Sequence, residues 1–311
     1  MSSRSHCPAF FQRLIPQHAL SRFAGWVAHC QFPPLKNYLI KWFIKRYGVD
    51  MQEATEVNPL NYPDFQSFFI RTLKEEVRPI ASGQNEFISP VDGIINQLGA
   101  IQSGRIFQAK GFNFDLTELL GGKKEVAKLN EHPLCKKLVP HSLREGSRVA
   151  RGDFLFEGGQ FATLYLAPKD YHHVHMPLTG KLVSMTYIPG RLFSVNPKTV
   201  EQVPNLFSRN ERVVCLFETA AGPMAMILVG AMIVASIHTA WASQVTPLRA
   251  KHIQSWRYSS DELTFTKGQE MGYFKLGSTV ILLFGQDHIT WQNGLYTGDR
   301  IKMGEVLGTI I

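Results

Sequence analysis

Met224-Ala225-Met226-Ile227-Leu228-Val229-Gly230-Ala231-Met232-Ile233-Val234-Ala235-Ser236-Ile237 is the apolar part of the long uncharged stretch between Thr219 and Leu248. Its reading decides the architecture. A membrane-spanning helix needs about 20 apolar residues. This run has 14, Ser236 among them, and gives way to His238, Thr239, Ser243, Gln244 and Thr246. It therefore reads as buried β-strand, not as a span.

Working outward, the same texture recurs. From Phe87 onward the chain is a series of apolar runs punctuated by Gly and Pro, among them Phe161–Leu166, Lys181–Ile188, Arg212–Phe217 and Thr279–Phe284. That alternation of runs and breakers predicts short strands and turns. Tyr62-Pro63-Asp64 predicts the start of a short helix that carries Phe65, Phe68, Phe69 and Leu73 into the core. Lys123–Asp153 is more polar and reads as an inserted loop or a helix with flanks. Gly146–Asp153 and Gly298–Glu305 echo one another and suit hairpins with Gly at tight corners. The expected fold class is α+β: a β-rich domain of short strands over residues 50–311, preceded by amphipathic helices within residues 1–49.

The charge is distributed unevenly. The 311 residues carry 33 Lys+Arg against 25 Asp+Glu, a formal net charge of +8. Residues 1–49 hold Arg4, Arg13, Arg22, Lys36, Lys41, Lys45 and Arg46 with no acid, so the rest of the chain has 26 basic and 25 acidic side chains. A near-neutral body excludes the general basic surface of a nucleic-acid binder. The basic segment is also rich in Phe10, Phe11, Phe23, Trp26, Phe32, Tyr38, Trp42, Phe43 and Tyr47. Cations mixed with aromatics suit an anionic bilayer surface, each cation contributing on the order of 1 kcal/mol. Leu35, Tyr38, Leu39, Trp42 and Phe43 follow helical spacing, with Ile40 and Ile44 off that face; Pro33-Pro34 separates this helix from an earlier one near Leu20–His29. A pair of helices docked on the domain, with solvated basic residues, would explain the same pattern.

No apolar run of about 7–15 residues with a small-residue cleavage site opens the chain, so an exported protein is not expected. Cys7, Cys30, Cys135 and Cys215 show no paired spacing, which points away from zinc sites and disulfide frameworks. The expected place is the cytoplasmic face of a membrane.

Three motifs could carry chemistry: Ser89-Pro90-Val91-Asp92-Gly93, Tyr171-His172-His173-Val174-His175-Met176-Pro177 and Phe274-Lys275-Leu276-Gly277-Ser278-Thr279-Val280. Each has an ordinary alternative. Asp-Gly is a common turn dipeptide, the histidine cluster could be a metal site, and Gly277-Ser278 could simply begin a strand. No acid or Cys stands at metal-motif spacing from the histidines, so no metal is assigned. Together the motifs supply an acid, a base and a hydroxyl, the set that activates a serine nucleophile. The Gly277 carbonyl, unshielded by a Cβ, lies within reach of the Ser278 hydroxyl. An N→O acyl shift followed by β-elimination would break the chain there and leave a pyruvoyl group at position 278.

These motifs, with Gln108-Ala109-Lys110-Gly111, Leu192-Phe193-Ser194-Val195-Asn196 and Asn205-Leu206-Phe207-Ser208-Arg209-Asn210-Glu211-Arg212, closely resemble those of the bacterial phosphatidylserine decarboxylases. The resemblance runs from the N-terminal helices to about Leu283. It implies autocatalytic cleavage between Gly277 and Ser278 into chains 1–277 and 278–311 that stay packed together. It further implies His175 as the base for Ser278 and Asp92 as the group that orients His175. A pyruvoyl cofactor derived from Ser278 would form a Schiff base with phosphatidylserine, and His172 would handle protons during decarboxylation. The implied partners are phosphatidylserine and an anionic membrane, not nucleic acid. Two departures stand out: position 173 is His where the family usually has Arg, and the 123–153 stretch is longer than usual. A pyruvoyl decarboxylase of a soluble amino acid, or a non-catalytic lipid-binding or carrier module, are the competing readings.

Overall fold

The computed structural model describes residues 12, 16–130, 155–232, 236–246, 250–259, 263–275 and 278–311. Leu276, Gly277 and most of the 123–153 stretch, including the Gly146–Asp153 echo, lie outside the described residues. So do Cys7 and Cys135; Cys30 and Cys215 carry free thiols.

The decisive apolar run is not one element. Strand β9 (Gly222–Val229) ends at its Val229, and Ile237–Thr239 forms β10 in another sheet. β9 lies inside a nine-stranded sheet in which it pairs with β8 (Arg212–Thr219) and β15 (Ser278–Phe284). β15 pairs in turn with β5 (Gln160–Leu166), and β5 with β2 (Gly93–Ala100); all these pairings are antiparallel. The centre of this sheet is buried on both faces. Met224, Met226 and Leu228 join one core with Val280, Leu282 and Phe284. Ala225, Ile227 and Val229 join another with Ile281 and Leu283. A strand covered on both faces reads as a continuous apolar run without alternation, which is why Met224–Val229 looks like the start of a span in one dimension.

Smaller sheets extend from this one. β1 (Glu86–Ile88), β16 (Ile289–Trp291) and β18 (Val306–Ile310) form a three-stranded sheet, while β6 (His173–His175), β14 (Glu270–Phe274), β10 and β11 (Ser243–Gln244) form a four-stranded one. β3 (Arg105–Ala109) and β4 (Phe112–Asp115) make a hairpin. The Gly298–Glu305 segment does not form the expected hairpin. Its β17 (Arg300–Ile301) pairs with β2, and a turn at Lys302–Glu305 carries the chain into β18 of the three-stranded sheet. Glycine there serves a change of sheet.

Three of the motif segments act as internal scaffolding. Buried Gln108 donates to Val200 O and Val203 O and accepts from Leu206 N. Asn210 holds Phe193 through both backbone groups and donates to Gly230 O. Arg212 donates to the carbonyls of Leu119, Glu118, Ser208 and Asn210.

The N-terminal helices are α1 (Gln17–Ala28) and α2 (Pro33–Tyr47), the latter closed by Gly48 at φ 68°, a left-handed position that favours glycine. α1 docks on the 190–194 loop through Gln17 Oε1, which accepts from Leu192 N, and a His18–Gly190 O contact. On α2, the buried residues are Lys36, Ile40 and Phe43, and Ile40 and Phe43 pack with Phe68 and Phe69. Of the stripe read from spacing, Leu35, Tyr38 and Trp42 are exposed, as are Phe23, Trp26 and Phe32, while Phe43 turns inward. Asp64 caps the next helix, α3 (Phe65–Phe69), by accepting from Ser67 N, as expected; Leu73 falls beyond it and bridges Ala54. No described helix is long and apolar enough to cross a membrane.

Candidate active site

The site forms where three neighbouring strands begin or end. Ser278 opens β15 opposite Leu166, the last residue of β5, and Ile94 of β2 stands opposite Tyr165. Gly93, Leu166 and Ser278 are therefore neighbours in register, which puts Gly93 about 10 Å from Ser278 at roughly 4.8 Å per strand. A Cβ at Gly93 would lie 2.4 Å from Tyr165 O, so only glycine lets the Asp92 turn enter the sheet there.

Asp92 is buried and fully engaged. It accepts from Arg78 Nε and Nη2 and from Met303 N, the last at 2.9 Å. Arg78 in turn donates to Glu53 at 2.8 Å and to Val77 O. Burial opposes the Arg78 charge, yet its hydrogen bonds to Asp92 and Glu53 prevail and raise its pKa. The hydrogen bond from Arg78 likewise holds the Glu53 carboxyl below its usual range. None of Arg78, Glu53 or Met303 was singled out from the sequence. The Glu75-Glu76-Val77-Arg78 segment carries no spacing that ties it to Asp92, 14 residues on.

The three histidines each commit one ring nitrogen to a backbone carbonyl, which can only accept. His172 Nδ1 faces Asp170 O, His173 Nε2 faces Ile70 O and His175 Nδ1 faces Gly268 O, all at 2.8 Å. The other nitrogens differ. His173 Nδ1 lies 3.0 Å from Glu270 Oε2, so His173 links the end of α3 to β14. His175 Nε2 faces the Tyr171 hydroxyl at 3.3 Å. His172 Nε2 is buried with no hydrogen-bond partner, its ring 4.2 Å from that of Phe69. Burial lowers the pKa of His175, and burial with the nearby Arg71 charge pulls that of His172 down to about 3. Both rings are neutral at pH 7, with Nε2 as the basic atom.

The expected chain of contacts is thus arranged differently in detail. Asp92 does not hydrogen-bond His175. The two segments are joined instead by the backbone, His175 N donating to Pro90 O at 2.8 Å, while the Asp92 charge acts on the ring across space. Ser278 Oγ is completely buried and has no hydrogen-bond partner among the described residues. It follows Phe274 by four residues, and Phe274 N donates to His172 O. Among the described residues, no three His, Cys, Asp or Glu side chains are grouped to hold a metal ion.

A cleft of about 360 Å³ opens beside Asp92 and Gly93, bordered also by Arg71, Lys169, Tyr171 and Arg300. Arg71 is buried. Its Nη2 donates to Lys169 O, and its Nε and Nη1 have no partner. Neither the cleft nor Arg71 was legible in the sequence, because its walls come from segments more than 200 residues apart.

Comparison with known proteins places this geometry in context. The family model described as phosphatidylserine decarboxylase matches residues 65–309, and a shorter one described as PSD matches residues 8–48. The chain is 50% identical over 300 residues to a phosphatidylserine decarboxylase proenzyme of Ectopseudomonas mendocina, covering 96% of each chain. It is 50% identical over 297 residues to one of Bordetella avium, covering 95% of this chain and 92% of that protein. It is also 47% identical over 300 residues to one of Hahella chejuensis, covering 96% and 92%.

Proposed function

The chain belongs to the phosphatidylserine decarboxylase family, and from that premise we propose that it cleaves itself at Gly277–Ser278 and removes CO₂ from phosphatidylserine to give phosphatidylethanolamine. The observation that carries this reading is the Ser278 hydroxyl, wholly buried and unpartnered. Such a group costs about 1–3 kcal/mol and is understandable where it reacts.

In self-cleavage, Ser278 Oγ attacks the Gly277 carbonyl carbon. The proton on Oγ passes to an imidazole, and the Gly277–Ser278 C–N bond breaks as the same proton reaches the departing amine. His175 suits this role because its Nδ1–H is held by Gly268 O, so Nε2 presents a lone pair at neutral pH. Asp92 fixes the turn against which the His175 backbone is tied, and Arg78 pairs with that buried carboxylate. The resulting ester loses the Ser278 Cα proton and the Gly277 carboxylate. Hydrolysis of the dehydroalanine that remains releases ammonia and leaves a pyruvoyl group. The residues fit such a group, because the 278 side chain occupies a dry place with no hydrogen bond to lose.

The pyruvoyl ketone supplies the electron sink for the carbon that loses CO₂. His172 Nε2 stands free of partners and proton-free at pH 7. That lone pair suits His172 to carry a proton to the carbon that loses CO₂. The exposed aromatics and cations of α1 and α2 support docking at an anionic bilayer on the cytoplasmic face, where the acyl chains need not leave the membrane at ~0.8 kcal/mol per CH₂. The segment 1–49 then acts as a membrane foot and 50–311 as the decarboxylase domain.

Intact mass of the purified protein tests the reading. Two chains, 1–277 and 278–311, are expected, with CO₂ released from phosphatidylserine vesicles. Ser278→Ala is expected to remain one chain and release none. A cleaved or active Ser278→Ala protein overturns the proposal. Equal release from free serine would favour the soluble-substrate decarboxylase.

A further inference from the structure

The cleft beside Asp92 collects five cations and five acids, and most of them are already paired. Arg78 serves Asp92 and Glu53, Arg300 Nη2 lies 2.8 Å from Asp170 Oδ1, and Lys302 lies 3.5 Å from Glu53. Of the other two cations, Lys169 and Arg71, only Arg71 is buried. Its side chain is 5% exposed, two of its nitrogens have no hydrogen-bond partner among the described residues, and its guanidinium meets only the backbone carbonyl of Lys169 and, at 5.7 Å, the Phe68 ring. A guanidinium buried with unmet N–H groups is costly, and here it borders an open space. Its planar fork matches an anion with two or three oxygens.

Position narrows the choice of anion. Arg71 is close enough to His172 for its charge to act on that ring, and Gly93 on the cleft wall is two strands from Ser278. An anion held there is one connected to the reacting centre without being part of it. A substrate carboxylate gripped by Arg71 would have its ground-state charge stabilised just where that charge must disperse as CO₂ leaves, which slows the reaction. A phosphodiester keeps its charge throughout, so binding it costs nothing in the chemical step. The charges of Asp92, Glu53 and Asp170 also reach Arg71, but each of these acids is already paired with another cation.

We propose that Arg71, with Lys169 at the cleft wall, binds the phosphodiester of the substrate headgroup and so distinguishes a phosphoserine lipid from serine itself. This rests on the decarboxylase reading above and names what that site recognises.

Two measurements separate this proposal from that reading. The first needs no catalysis: binding of glycerophosphoserine and of serine methyl ester to uncleaved Ser278→Ala protein, followed by ³¹P and ¹H NMR. Glycerophosphoserine should bind at least tenfold more tightly than the ester, and Arg71→Lys in the same background should reduce that preference about 10- to 100-fold, the range expected for a charge-assisted pair. The second uses cleaved protein. Arg71→Lys should self-cleave as the wild type does, while KM for glycerophosphoserine rises about 10- to 100-fold and kcat changes little. Equal binding of the two ligands, or an unchanged preference in Arg71→Lys, overturns the anion site and identifies the cleft as water-filled. Tight glycerophosphoserine binding by a protein that neither cleaves nor releases CO₂ would instead sink the decarboxylase reading and leave the anion site standing. The lysine variant keeps the buried charge, and the ligand preference of the Arg71 protein is itself decisive if that variant fails to fold.

Discussion

The helical foot and the strand-end site invert the usual distribution of side chains in opposite directions. In the foot, apolar groups face outward: Trp26 is 72% exposed, Tyr38 67% and Trp42 48%. Meanwhile Lys36 turns inward, its Nζ donating to Leu60 O and Asn37 Oδ1. At the strand ends polar groups face inward, with Ser278, His172, Asp92, Arg78 and Arg71 all buried. Scattered exposed apolar residues are ordinary, but aromatics on two successive helices among cations are not scattered. Each inversion is unfavourable in water alone, and under the two proposals above each would be relieved by one part of the same amphiphile: its chains at the foot, its headgroup in the cleft.

The largest effect is expected from His175→Ala, which should slow self-cleavage by about 10²–10⁴-fold, read as the rate at which the 278–311 chain appears after synthesis; wild-type cleavage would remove His175 as the base. Arg78→Met should leave Asp92 buried without its cation and destabilise the protein by about 3–5 kcal/mol in urea unfolding. A loss under 1 kcal/mol would mean that Asp92 is compensated by other groups. At the foot, deleting residues 1–49 would uncover Phe68 and Phe69, which pack against Ile40 and Phe43, so surface substitution is the cleaner probe. Trp26→Ser with Trp42→Ser should weaken binding to anionic vesicles about 30-fold, at about 1 kcal/mol per half-inserted ring, with self-cleavage unaltered. Vesicle binding that survives unchanged would move the membrane contact elsewhere.

The smallest effect is one of pH. His172 has a folded pKa of about 3, below its unfolded value of 6.5, so the unfolded chain binds the proton first as pH falls. Stability from this group is full above pH 6.5 and is lost as pH falls from there toward 3. Between pH 7 and 6 the loss should be about 0.7 kcal/mol. It should vanish in His172→Gln; an identical pH slope in the two proteins would show that His172 is not the group held neutral.

Much of this was legible in one dimension. The α+β class, the strands at Phe161–Leu166 and Thr279–Phe284, and the helix opened by Asp64 all follow from local pattern. Local pattern is reliable there because burial on both faces, alternating polarity and capping leave direct marks on residue type. The face of α2 was not legible. Its spacing shows two apolar stripes, and only the position of Phe68 and Phe69 decides that Ile40 and Phe43 pack inward while Tyr38 and Trp42 remain outside.

The fold class and the uneven charge can be read from the sequence, as can the residues proposed to react: an acid at 92, histidines at 172 and 175, and a hydroxyl at 278. Tertiary structure alone decided how they are wired. It gave Asp92 to Arg78 and the His175 ring to Gly268 and Tyr171, left His172 Nε2 and Ser278 Oγ unpartnered, and set Arg71 at the cleft. The physical reason is that a hydrogen bond depends on direction and on competing partners within about 3 Å, and those partners come from strands and turns as far apart as residues 53 and 303.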